Sequence, residues 1–401
     1  MDSQTPPCND TSEISCGAGS GPYAVIIIPV LLAVSTVVVA ALVVRSVCCK
    51  RPEEERTSVS TSNRDGKAGG VSAQQSVLVS TVSGPLAAIE APGPSQVPED
   101  CVLEELEVLH TGRYGPVCKA RLTRGGATST VVVKALRESS SQPEVKEFVA
   151  WARFHADVSQ HENLVRMLFC RTQHQPMCLV LEAVSPGNLL HFLWALRNGD
   201  SGIWRQSQPF SERSVCSVAE QVAAGLEYLS SAHGLFHGDV AARSVLIGSG
   251  LSVRLSGLGM AFQAWHTGKV AKRRAAEVPL KWQAPERGMG LPITEHSDVW
   301  SFGVLLYELI TLGAPPYQGL EPQDVFTQIQ NSYRMEKPEG CGTPLYDLMK
   351  HCWMWNCKDR PAFSAIIKLL KSYVGLAETK MLSSQESMDI FEYSRRAGVF
   401  P

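Results

Sequence analysis

Residues 237–244 read His237-Gly238-Asp239-Val240-Ala241-Ala242-Arg243-Ser244, and the reading of the whole chain turns on them. They lie within a long stretch, from about Cys101 to Tyr373, in which strand-like and helical patterns alternate. Downstream come Val253-Arg254-Leu255-Ser256-Gly257-Leu258-Gly259, then Val278-Pro279-Leu280-Lys281-Trp282-Gln283-Ala284-Pro285-Glu286. These are followed by Ser297-Asp298-Val299-Trp300-Ser301-Phe302-Gly303, Ala314-Pro315-Pro316-Tyr317 and Asp359-Arg360-Pro361. Upstream lie the apolar runs Leu179-Val180-Leu181-Glu182-Ala183-Val184 and Val131-Val132-Val133-Lys134. Before those stands the turn-like His110-Thr111-Gly112-Arg113-Tyr114-Gly115-Pro116-Val117. Each segment has an ordinary reading: turn glycines, a lysine at a strand end, a plain core strand. Their fixed order and spacing do not.

That order resembles a protein kinase domain, and the Ala-Ala-Arg run after Asp239 resembles the tyrosine-kinase type. The stretch is similar to the receptor tyrosine kinases. The resemblance implies an α+β, bilobal domain over residues 101–374. It also implies the roles of single residues. Asp239 takes the place of the base that accepts the substrate hydroxyl proton. Gly112, Gly115 and Val117 belong to the loop over the nucleotide phosphates, where glycines let backbone amides approach; His110 fills the first glycine position. Lys134 takes the place of the lysine that holds the α- and β-phosphates. Leu181 falls at the gatekeeper, and Glu182 and Val184 lie at the adenine edge. Asp298 braces the catalytic loop, and Arg360 pairs with Glu286.

The same comparison exposes departures. In kinases the lysine pairs with a glutamate on the next helix, expected here over about 143–158. Register counting lands on Trp151 or Ala152, with Glu147 one turn earlier as the available substitute. The two metal-holding positions are Gly257 and Ser244: no side chain at one, a neutral hydroxyl at the other. Gly238 replaces the arginine that receives an activation-loop phosphate, and residues 260–277 contain no tyrosine. ATP is thus implied by resemblance, while magnesium lacks its usual ligands. Two readings follow: a catalytically impaired scaffold, or an active tyrosine kinase that handles its metal unconventionally, with Glu147 as a candidate ligand. Lys269, Lys272, Arg273 and Arg274 make the activation segment basic, either as a solvated loop or as a patch for acidic partners.

The rest of the chain supplies context. Lys and Arg number 37 against 39 Asp and Glu, so no basic excess points to nucleic acid. The twelve cysteines form no paired metal-ligand motif. Ala24 to Val44 is apolar apart from Pro29, Ser35 and Thr36, long enough for one transmembrane helix. Arg45, Lys50, Arg51 and Arg56 follow it and no Lys or Arg precedes it, which puts residues 1–23 outside and the kinase-like domain in the cytosol, with the plasma membrane as the expected location. The Asn9-Asp10-Thr11 sequon and the pair Cys8 and Cys16 suit an exterior tail. Cys48 and Cys49 at the inner boundary read equally as palmitoylation sites or unmodified thiols. Residues 45–100 read as a disordered linker rich in Ser, Thr, Pro and Gly. Tyr393, preceded by Asp389, Phe391 and Glu392 in a polar tail over 375–401, reads either as a docking site for phosphotyrosine-binding adaptors or as an unmodified tyrosine.

Overall fold

The computed structural model describes residues 94–199, 209–268, 279–384 and 386–399. The apolar run 24–44, Asn9, Cys8, Cys16, Cys48, Cys49, the linker before residue 94 and the basic residues Lys269, Lys272, Arg273 and Arg274 lie outside them.

The N-terminal lobe is a five-stranded sheet in the order β1-β2-β3-β5-β4, with one helix, α1. The strands are β1 (Cys101–Thr111), β2 (Pro116–Arg124), β3 (Ala127–Ala135), β4 (Met167–Arg171) and β5 (Cys178–Glu182). Gly125-Gly126 joins β2 to β3, and both residues have positive φ, 55° and 81°. That conformation matches the twist of a tight hairpin and suits residues without a Cβ. β3 is flanked on both sides, and its β-branched run alternates faces. Val131 and Val133 enter the sheet's own core with Leu122 and Val180, while Val132 and Lys134 take the other face. Over that face lies α1 (Gln142–Val158), whose buried residues Phe148, Trp151, Ala152, His155 and Val158 recur at helical spacing.

The C-terminal lobe is helical around a small antiparallel sheet of β6 (Pro186–Asn188), β7 (Val245–Gly248) and β8 (Val253–Leu255). Its helices are α2 (Leu189–Arg197), α3 (Glu212–His233), α4 (Gly259–Thr267), α5 (Pro285–Gly288), α6 (Glu295–Ile310), α7 (Pro322–Gln330), α8 (Thr343–Cys352), α9 (Phe363–Tyr373) and α10 (Ile390–Ala397). Thr294 caps α6 by accepting from the Ser297 N–H at 3.3 Å. α6 is buried along almost its whole length, from Ser297 to Ile310. A helix buried on all sides carries polar groups only where they find partners. Asp298 and Glu308 are its two buried carboxylates, and both bond to the 237–244 loop.

Three features depart from the sequence reading. Residues 95–97 do not behave as linker: Val97 N–H donates to Cys170 O, and Cys170 N–H donates to Ser95 O, each at 2.8 Å. They extend the sheet past β4, satisfying an edge that would otherwise be open. Residues 259–267, read as part of a loop, form α4, with Phe262 and Trp265 one turn apart on the side facing α1. Tyr393 does not lie in an exposed tail. α10 docks on the lobe, and the Tyr393 ring is 2% exposed, packing against Trp194 at 5.0 Å with its hydroxyl donating to Glu308 at 2.9 Å. The apolar area of the ring, together with a phenol that finds a buried acceptor, outweighs the polar composition of the segment. Lys281 caps this helix by donating to Arg396 O at 2.6 Å.

Arg360 meets Glu286 bidentately at 2.7 and 2.8 Å, its side chain fully buried, and donates a further bond to His296 O. Removing one member strands the other charge. Glu286→Ala should therefore cost about 3–5 kcal/mol in urea unfolding. Loss of under about 1 kcal/mol would show that this pair does not hold the lobe.

Candidate active site

Backbone bonding fixes the 237–244 loop. Asp298 accepts from the His237 and Gly238 N–H groups at 2.6 and 2.8 Å. Burial pushes its pKa up to about 6, against the downward pull of His237 and those two donors. Glu308 accepts from the Ala242 N–H at 2.9 Å and from the Trp282 indole at 3.0 Å. Asn188 donates to Arg243 O at 2.9 Å. The His237 Nε2 lies 2.8 Å from Ser256 O, and its Nδ1 accepts from the Asp239 N–H. A carbonyl can only accept, so the ring carries its proton on Nε2.

Asp239 emerges from this scaffold part-exposed and in contact with the Arg243 guanidinium, which itself lies 4.4 Å over the Trp282 ring. The carboxylate is set to receive a proton from a hydroxyl, but only in competition with that arginine. Gly257 stands where a metal-holding carboxylate belongs in kinases, with φ of 75°; a Cβ there would lie 3.3 Å from Ser244 Oγ. The backbone is thus one that L side chains disfavour. Gly238 is more restrictive. Its φ is 76°, and a Cβ would meet Ile293 Cδ1 at 2.7 Å and Met260 Cβ at 3.2 Å. The space of a phosphate-receiving arginine is filled by apolar side chains. Among the described residues no three His, Cys, Asp or Glu side chains gather to hold a metal ion. The donor set at Gly257 and Ser244 does not fit magnesium.

Between the lobes lies a cavity of about 200 Å³. Gly112, Gly115, Val117 and Lys134 line it, together with Trp151 and Phe262. Glu182 and Val184 are not brought to it. The Glu182 side chain turns away, accepting from the Arg166 N–H at 2.8 Å and from Arg254 at 3.1 Å. Glu147 does not substitute as the partner of Lys134. It pairs with Arg113 of the glycine loop at 2.8 Å: i and i+4 share a helix face, and four residues of rise, about 6 Å, separate Glu147 from the Trp151 position along the axis. In its place Trp151 lies under the Lys134 ammonium, ring centroid at 5.9 Å. Trp151 in turn packs edge-on to Phe262 at 4.7 Å and stacks on Phe154 at 5.5 Å, tying α1 to α4. Tyr114 closes the loop onto the same cluster, edge-on to Phe148 at 5.5 Å. The register of α1 pointed to Trp151; the i, i+3 spacing of Phe262 and Trp265 was the signal for α4.

Beside Lys134, His155 is buried with both ring nitrogens lacking a hydrogen-bond partner. Burial first, and the Lys134 charge second, push its pKa down to about 3. Burial also lowers the Lys134 pKa.

Residues 103–370 match the family described as protein tyrosine and serine/threonine kinase. The human tyrosine-protein kinase STYK1 is 36% identical over 307 residues, covering 76% of this chain and 72% of the relative. The mouse protein of that name is equally similar, with 71% of its length covered. The fruit-fly tyrosine kinase receptor Cad96Ca is 33% identical, over 67% of this chain and 35% of its own.

Two outcomes follow. A histidine with a depressed folded pKa contributes stability that is complete above its unfolded pKa of about 6.5 and is lost as pH falls, because the unfolded chain binds a proton that the fold refuses. Relative to His155→Phe, the wild type should lose about 1.4 kcal/mol of stability per pH unit as pH falls from 6 to 4. Parallel profiles would contradict a neutral His155. Gly238→Arg should destabilise the domain by about 1–3 kcal/mol in thermal melts, through positive φ and overpacking. An unchanged melting temperature would mean that the loop yields freely.

Proposed function

This chain belongs to the protein tyrosine and serine/threonine kinase family, and we propose that it is a membrane-anchored, catalytically impaired signalling protein acting as a scaffold or allosteric partner. One observation carries the reading: the two positions that hold metal in kinases are Gly257 and Ser244, so one offers no side chain and the other only a neutral hydroxyl. Phosphoryl transfer is mostly positioning and charge neutralisation. Losing a preorganised electrostatic contributor commonly costs on the order of 100-fold or more. Trp151 in place of the glutamate partner of Lys134, and a glycine loop tied to α1 through Arg113 and Tyr114, point the same way. Membrane anchoring rests on the apolar run 24–44 and its basic flank, with the kinase-like domain cytosolic at the plasma membrane. Among the described residues no helix is long and apolar enough to cross a membrane. Protein partners in signalling, phosphotyrosine-binding adaptors among them, are part of the proposal; Tyr393 serves such a role only if α10 leaves its seat.

A second reading, an active ATP-dependent tyrosine kinase, is favoured by the retained Asp239 and Lys134. The purified full-length chain, given labelled ATP, magnesium or manganese and a tyrosine-containing polymer, distinguishes them. Incorporation no greater than that of Asp239→Asn is the expected result. Turnover at least tenfold above that variant would overturn the impaired reading and establish the second.

A further inference from the structure

Lys134 is carried into the inter-lobe cavity by the most enclosed part of the sheet, with β2 on one side and β5 on the other. Among the described residues no carboxylate pairs with it. Acidic groups of α1 and of the 237–244 loop are engaged elsewhere: Glu147 with Arg113, Glu144 with Arg137 at 3.4 Å, and Asp239 with Arg243. The contact that remains to its ammonium is the Trp151 face. His155, one turn further along α1, leaves both ring nitrogens without partners. Around Lys134, donors therefore outnumber acceptors, in a site walled by Val117, Trp151 and Phe262.

Lys134 is half-buried, and an ammonium held in a partly enclosed cleft without a counter-charge is costly; an incoming anion offsets that cost. The anion's charge is set by the number of free cations. Among the described residues Arg113 also lines the cavity but is already paired, which leaves one ammonium there for one negative charge. A polyphosphate needs several cations or a metal, and Gly257 and Ser244 supply no ligand. The cavity, about 200 Å³, is also smaller than the roughly 300–1,000 Å³ usual for drug-sized ligands. Its aromatic walls favour a flat apolar body.

We infer that this cleft binds a small aromatic monocarboxylate, its carboxylate on Lys134 and its ring against Trp151 and Phe262, with no metal. This goes beyond the scaffold reading and stands or falls without it. The lowered Lys134 pKa is consistent, since a bound carboxylate would restore the charged form.

The test uses the full-length chain in detergent and 2-naphthoate as probe, followed by calorimetry and by melting temperature, with EDTA or with magnesium. Saturable binding with a raised melting temperature, equal in both conditions, is expected. The neutral 2-naphthamide should bind at least tenfold more weakly, as should 2-naphthoate to Lys134→Met, since a charge-assisted bond is lost. Trp151→Glu should abolish binding by giving Lys134 an internal partner. Equal affinity for the amide and the acid, which requires no variant, would overturn the proposal. So would unchanged binding by a folded Lys134→Met, or a magnesium-dependent stabilisation by ATP larger than that by naphthoate.

Discussion

A buried loop must find partners for its backbone N–H groups, and here the 237–244 loop finds them on one helix. Asp298 takes two of these groups at one end of α6, and Glu308 takes a third near the other. Much else rests on this arrangement. Glu308 also accepts from Trp282, placing the ring over which Arg243 lies, and from Tyr393, seating α10. The price is two buried carboxylates, each with its pKa raised by burial and stabilised by the donors it collects and by a neighbouring basic residue, His237 for Asp298 and Arg243 for Glu308. The loop and the helix therefore form one unit.

That unit is independent of phosphoryl transfer. The bonds that shape the loop go to backbone groups, so they tolerate glycine at 238 and serine at 244. What the site lacks is a pair of side chains to hold metal. The space and electrostatics are reassigned: Ile293 and Met260 occupy the place of an arginine, Trp151 that of a glutamate, and Arg113 binds the carboxylate that remains. Aromatic packing between α1 and α4 joins the two lobes at the point where, in kinases, an ion pair joins β3 to the helix within one lobe. A packed aromatic contact does not depend on a nucleotide or a metal to form.

The bilobal fold was legible because its signals are local and ordered: alternating valines before Lys134, a capped helical pattern from 142, and an apolar run from Ser297. Gly112, Gly115, Val117 and Lys134 come together around one cavity because a hairpin's register fixes which residues face each other. Glu182 could not be placed in this way. Its backbone position follows from the strand, but its side chain follows Arg254, seventy-two residues away. Whether Glu147 substitutes as the partner of Lys134 was open in the sequence, because sequence distance says nothing of Arg113, which reaches the same carboxylate from the glycine loop. The segment holding Tyr393 was read by composition, and its acidic neighbours do face solvent; the ring does not.

By itself the sequence determined which chemical groups exist: one base at Asp239, one lysine at 134, and no carboxylate at 257 or amide at 244. A missing side chain cannot be supplied by folding. Only the tertiary structure decided what the remaining groups face, because pairing is a competition in space. Arg113 takes Glu147, Arg243 takes Asp239, Tyr393 takes the free oxygen of Glu308, and Lys134 is left over an indole ring.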